Sequence, residues 1–224
     1  MAMILGPGLL QLSAADEDGV ALAILYDTSG SMKDNVPDSS GSRSPKYVIA
    51  NRALMAVVKQ IQAFATNGSA GPRRIDVGLF TFEKGTAKEV VKFGPFDAGA
   101  IESFAKDFSN PNGGTPLGNA LQKVSQAVLN SPLPRKHVLV ITDGINTVGP
   151  DPAQVLPGIN RKAEQQKQAV FVHFIAFDVD AAIFDPIKKQ GATVVGAANE
   201  SQLNSQLDFI LQNQILLEKP TKTK

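Results

Sequence analysis

Residues 20–31 read Val20-Ala21-Leu22-Ala23-Ile24-Leu25-Tyr26-Asp27-Thr28-Ser29-Gly30-Ser31, an apolar run that stops at a carboxylate and two hydroxyls. An apolar stretch without alternation predicts a strand over 20–27 covered on both faces, as at the centre of a parallel sheet. In open α/β sheets, ligands bind beyond the carboxyl ends of the strands. Asp27, Ser29 and Ser31 fall there at i, i+2 and i+4, offering the hard oxygen donors that a small divalent cation takes.

Two later segments offer matching groups. A second buried strand, 137–142, contains Val138-Leu139-Val140-Ile141 and runs into Thr142-Asp143-Gly144, so Asp143 is expected on the same rim as Asp27. The run Gly113-Gly114-Thr115-Pro116-Leu117-Gly118 opens a helix to about 130, with Thr115 as its cap and Pro116 in the tolerated first position. Each residue also has a purely local reading. Asp27 and Ser29 can bond their own turn, Ser31 and Thr115 can cap, and Asp143-Gly144 is a common turn dipeptide. What favours a site is that all of them occur together, in order, at the ends of their elements. Two carboxylates and three hydroxyls suit Mg²⁺, which takes about six oxygens at roughly 2.1 Å.

The pattern Asp27-x-Ser29-x-Ser31, Thr115, Asp143 resembles the metal-ion-dependent adhesion site of a von Willebrand factor type A (vWA) domain, over roughly 20–217 and with no ligand missing. The resemblance implies a doubly wound α/β fold: a mostly parallel six-stranded sheet, one antiparallel edge strand, and helices on both faces. It implies Mg²⁺, with Mn²⁺ or Ca²⁺ as substitutes, held directly or through water. An open coordination position would accept an Asp or Glu carboxylate from a protein partner, making the chain a non-enzymatic binding module. Gly30 is expected to let the first loop turn, and Gly114 to let the backbone approach the ion. Two other readings stay open: a subunit working with an AAA+ ATPase or chelatase assembly, and a structural domain that has lost metal binding. The loop 33–44 is longer than in many members, and its Asp34 and Asp38 either shape the ligand surface or solvate the loop. In some relatives a change at the metal shifts the C-terminal helix. Here that helix either slides or simply packs.

The remaining chain alternates strands and helices, which predicts crossovers in a parallel sheet. Helices are expected over 45–66, 98–108, within 153–168, over 181–190 (broken early by Pro186) and over 201–217. Strands are expected over 75–82, 169–177 and 193–195, with 90–93 pairing back onto 75–82 across Lys84-Gly85-Thr86. The chain divides into an arm (1–18), a domain (19–217) and a tail (218–224).

Composition excludes several classes. A net charge of +1 over 224 residues argues against nucleic acid. The absence of cysteine removes disulfides and thiolate chemistry. No stretch reaches the roughly 18–20 apolar residues of a membrane span, and residues 1–12 lack the positive charge that opens a secretory signal. A soluble protein is expected, its compartment undetermined. Enzyme signatures also fail. Ser29 stands where haloacid-dehalogenase-type phosphatases need a second carboxylate. The Gly-x-Ser-x-Gly elbow and the Gly-x-Gly-x-x-Gly turn are both missing. Of the two histidines, His173 is expected in the core and His137 at the surface. Two glycosylation triplets, at Asn67 and Asn199, carry no weight.

Overall fold

The strand over the opening apolar run, β1 (Val20–Tyr26), is wholly buried, and it is the axis of the molecule. The computed structural model describes residues 18–66 and 73–217; the expected arm up to residue 17, the turn at 68–72, the triplet at Asn67 and the 218–224 tail lie outside them. Side chains alternate across a strand. Val20, Leu22, Ile24 and Tyr26 therefore enter one core cluster, and Ala21, Ala23 and Leu25 enter the other.

The other elements follow in order. After β1, β2 (Asn35–Pro37) and β3 (Arg43–Pro45) precede α1 (Lys46–Thr66). Next come β4 (Ile75–Glu83), β5 (Thr86–Pro95), α2 (Ala98–Asp107) and α3 (Leu117–Leu129). The chain continues with β6 (Arg135–Thr142), α4 (Pro152–Gln165), β7 (Val170–Phe177), α5 (Asp185–Lys188), β8 (Thr193–Ala197) and α6 (Glu200–Ile210). The main sheet has six strands in the order β5-β4-β1-β6-β7-β8. All neighbours are parallel except β4 and β5, so β5 is the antiparallel edge. Helices α1, α2 and α6 contribute to one core, and α3, α4 and α5 to the other. The expected doubly wound architecture is what is observed.

The local differences have physical causes. The antiparallel partner is ten residues long rather than the expected four. Lys84 and Gly85 both have positive φ and make a two-residue turn that pairs Glu83 with Thr86. The loop 33–44 contains a small antiparallel pair, β2–β3. The predicted break at Pro186 appears as a 3₁₀ turn over Ala181–Phe184 followed by the single turn of α5. The C-terminal helix is α-helical to Ile210 and then winds as a π-helix over Leu211–Leu216, for which the sequence offers no local cause. His137, expected at the surface, is fully buried. It lies on β6 between β1 and β7, and its ring stacks on Phe171 and His173. Among the described residues, no helix is long and apolar enough to cross a membrane.

Candidate functional site

Parallel pairing puts the two expected carboxylates side by side. Tyr26 lies opposite Ile141, and Asp27 N donates to Ile141 O at 3.0 Å, extending the ladder one residue past β1. Asp27 thus ends its strand beside Thr142, with Asp143 following. Both aspartates are buried. Past the strand, alternation separates the side chains. The hydroxyl of Thr28 turns to β4, donating to Phe82 O at 3.3 Å and accepting from Phe82 N at 3.2 Å. Ser29 and Ser31 turn to the aspartates.

A chain of hydrogen bonds then joins four of the five residues. Ser29 N donates to Asp27 Oδ1 at 2.7 Å. The hydroxyls of Ser29 and Ser31 lie 3.2 Å apart, and Ser31 Oγ donates to Asp143 Oδ1 at 2.8 Å. Thr115 is placed by its backbone, whose N–H donates to Thr147 Oγ1 at 2.7 Å and whose carbonyl accepts from Thr147 N at 2.9 Å. A Cβ placed on Gly144 would sit 3.8 Å from Thr115 Oγ1 and 3.9 Å from Ser31 Oγ, so these two hydroxyls flank one point beside Asp143. The structure brings all five together.

Three expectations about these loops change. Thr115 does not cap the helix: Pro116 is the N-cap residue and α3 begins at Leu117, so the threonine hydroxyl is not spent on the helix end. Gly30 opens a 3₁₀ turn over Gly30–Lys33 and has no left-handed backbone; its N–H donates to Gly113 O at 3.1 Å, tying the first loop to the second. What crowds Gly114 is protein, since a Cβ there would lie 2.9 Å from Thr147 Oγ1 and 3.0 Å from Val148 Cγ2.

Asp38 is committed elsewhere. Its carboxylate accepts from Ser40 N, Ser40 Oγ, Ser42 N and Ser44 Oγ at 2.7–3.0 Å, closing the β2–β3 loop. The hydroxyls of Ser40 and Ser44 hold it down at about 2. Asp34 is exposed, and its carbonyl accepts from Lys46 N at 2.9 Å at the start of α1.

Two neighbours escaped the sequence reading. Thr142 Oγ1 donates to Asp27 Oδ2 at 2.6 Å, so both oxygens of Asp27 carry a bond. The ammonium of Lys46, the first residue of α1, lies 3.1 Å from Asp143 Oδ2 and 3.0 Å from Asp178 Oδ2. Thr142 was legible as a hydroxyl next to a candidate ligand. Lys46 carried no local signal, because its partners are 97 and 132 residues away in sequence.

The electrostatics follow from burial. Desolvation, then the charge of Asp143, pushes the Asp27 carboxyl up to about 6 against the bonds from Ser29 and Thr142. Burial pulls the Lys46 ammonium down, but its bonds to Asp178 and Asp143 outweigh that and hold it above the ordinary lysine range. Two buried carboxylates this close favour a cation between them, and hydroxyl and carboxylate oxygens are the donors that Mg²⁺ and Ca²⁺ prefer. The residues fit a hard divalent ion. Among the described residues, no group of three or more His, Cys, Asp or Glu forms a metal cluster, so any ion here relies on hydroxyls beside its two carboxylates.

The von Willebrand factor type A domain model matches residues 21–207, and the chain belongs to that family. No curated protein matches the chain. Among solved structures it is similar to the PilB minor pilin from Streptococcus sanguinis (18% identity, TM-score 0.64), covering 87% of this chain and 60% of that one. It is also similar to proximal thread matrix protein 1 from the mussel byssus, solved with a zinc-occupied MIDAS motif (20% identity, TM-score 0.62, 87% of this chain and 48% of that one). A third likeness is the vWF domain of the type V pili tip protein Mfa5 from Porphyromonas gingivalis (12% identity, TM-score 0.64, 92% and 99%). At these identities the likenesses show the shared fold. The chain spans about three fifths of the pilin and about half of the byssus protein.

Proposed function

We propose that the chain is a non-enzymatic protein-binding module. Asp27, Ser29, Ser31, Thr115 and Asp143 would hold Mg²⁺, directly or through water, where a partner Asp or Glu completes the site. The observation that carries this reading is the continuous bonded path from Asp27 through Ser29 and Ser31 to Asp143. A bound divalent ion would supply Lewis acidity and a coordination position open to a carboxylate. The protein residues orient and neutralise. Thr142 fixes the plane of the Asp27 carboxylate, Lys46 fixes Asp143, and the 144–149 loop fixes Thr115 through Thr147. Ser31 is exposed while Ser29 is 2% exposed, so the donor set opens to solvent on one side. A zinc-occupied MIDAS motif in a protein of the same fold is consistent with an ion at this rim. No feature of the described residues favours an AAA+ or chelatase assembly over a simple partner.

Calorimetric titration with Mg²⁺ and Mn²⁺ tests the site. Saturable binding to the wild type, lost in Asp143→Ala and weakened in Ser29→Ala, is the expected result. Binding unchanged in Asp143→Ala would refute the assignment.

A further inference from the structure

A groove of about 610 Å³ shares a wall with the candidate metal site. Thr28, between Asp27 and Ser29, lines it, as do Gly114 and Pro116 on either side of Thr115. Its floor is aromatic: Phe104 and Phe108 are half-buried and stack with ring centroids 5.4 Å apart. Tyr26 buttresses both rings edge-on at 5.7 Å, so the floor is held rigidly from below. On the far side stands the β4–β5 turn, pinned by Asn119 Nδ2 donating to Gly85 O at 2.8 Å.

Val148 closes the gap between these walls. Its two methyls reach toward Gly85 and Gly114, 3.6 and 3.0 Å from where a Cβ would stand on each, yet the residue is 40% exposed. Ile145, two residues beyond Asp143, is 57% exposed. Val148 lines the aromatic groove, so the apolar surface there is continuous rather than a single exposed side chain. The charged lining of the groove is two lysines, Lys84 and Lys88, against Glu83, and Lys88 lies 3.4 Å from Glu83. With Lys88 paired to Glu83, Lys84 leaves one net positive charge on the wall of an aromatic-floored groove, which suits a segment carrying a carboxylate beside an apolar side chain.

We propose that this groove receives an aromatic or large aliphatic side chain from the same extended partner segment whose carboxylate reaches the rim at Asp27 and Asp143. The partner is then recognised as an acidic residue with an apolar residue beside it. The position of the carboxylate rests on the metal-site reading; the apolar half does not. Filling the groove with one buried ring should strengthen binding at least about tenfold over the same peptide without it.

The test uses the full chain and three blocked tetrapeptides, Gly-Glu-Phe-Gly, Gly-Glu-Gly-Gly and Gly-Gln-Phe-Gly, titrated to millimolar concentration. Amide NMR shifts are followed with Mg²⁺ and with EDTA. The expected result is that the Glu-Phe peptide binds at least about tenfold tighter than Glu-Gly and moves the amides of Lys84, Gly113 and Val148. Val148→Asp, with the fold checked by its unperturbed amide spectrum away from the groove, should remove that advantage. Groove shifts by the Gln-Phe peptide that persist in EDTA would support the groove even if metal dependence fails. Equal affinity for the Glu-Phe and Glu-Gly peptides, or no groove shifts at the highest concentration, would overturn the proposal. Loss of Glu-Gly binding in EDTA reports on the metal separately.

Discussion

Strand β6 carries a buried polar cluster toward each end. Near its start, His137 Nδ1 faces His173 Nε2 of β7 at 3.2 Å, between stacked rings. At its finish, Thr142 and Asp143 meet Asp27, Ser31 and Lys46. Both clusters lie between neighbouring parallel strands and both are desolvated. The histidine pair is two stacked rings with one nitrogen-to-nitrogen contact at 3.2 Å, and burial holds His173 below its ordinary range. The carboxylate cluster keeps formal charge inside the protein and surrounds it with hydroxyls, backbone donors and one ammonium. Burial alone does not make a site. A cluster of carboxylates and hydroxyls that opens to a loop rim offers donors to a ligand, whereas two stacked rings held within the sheet offer packing.

The sharpest way to break the comparison is to remove the ammonium. Lys46→Met should cost about 3 kcal/mol or more in urea unfolding with EDTA present, because it leaves the buried Asp143 carboxylate without its cation. Added Mg²⁺ should recover part of the loss. An unchanged midpoint in EDTA would mean that Asp143 does not depend on Lys46.

Acid separates the two clusters by sign. Burial, then the neighbouring His137, depresses His173 to about 3 from an ordinary 6.5. The unfolded chain therefore takes up the proton first, and stability falls as pH drops from about 6.5 toward 3. For His173 this amounts to on the order of 3 kcal/mol between pH 7 and 4. Asp27 runs the other way. Its carboxyl is raised from 3.8 to about 6, so its contribution is fully present below 3.8 and is lost as pH rises through 6. In EDTA, His173→Gln should flatten the acid limb and Asp27→Asn the limb between pH 4 and 6, as read by denaturant midpoints across pH. If either variant keeps the wild-type slope, the corresponding assignment is wrong.

A finer probe is Thr142→Val, which deletes the hydroxyl on Asp27 Oδ2 while keeping the side chain's shape. It should cost about 1–2 kcal/mol and weaken Mg²⁺ binding by a smaller factor than Ser29→Ala does. Loss of all metal binding in this variant would move Thr142 from support to ligand. The smallest effect belongs to Asp38→Ala. It should speed amide hydrogen exchange at Ser40 and Ser42 and leave Mg²⁺ affinity alone, because Asp38 closes its own loop. A changed affinity would place that loop at the site after all.

Much of this was legible from local chemistry. The unalternating run 20–26 declared a central strand, and a carboxylate at the end of each of two buried strands could only meet on one rim. The antiparallel edge was expected too, but its length was not. Lys88, Glu89 and Lys92 interrupt the apolar signal in β5, an edge strand with one open side. His137 was misplaced because a strand's first residues look exposed unless both neighbouring strands extend past them, as β1 and β7 do here. Lys46 and the groove were out of reach for a related reason. Each exists only once distant segments are folded together, and neither leaves a motif in any one of them.

The same lysine also bears on the order of events during maturation. Lys46 spans Asp143, just beyond β6, and Asp178, just beyond β7, so α1 neutralises the rim with charge carried by the chain itself. Asp143 then has a cationic partner in the folded chain before any ion arrives. On the proposed metal reading, a cation would be a later arrival sharing Asp143 with a resident side chain, and a threshold concentration would separate the silent surface from the competent one.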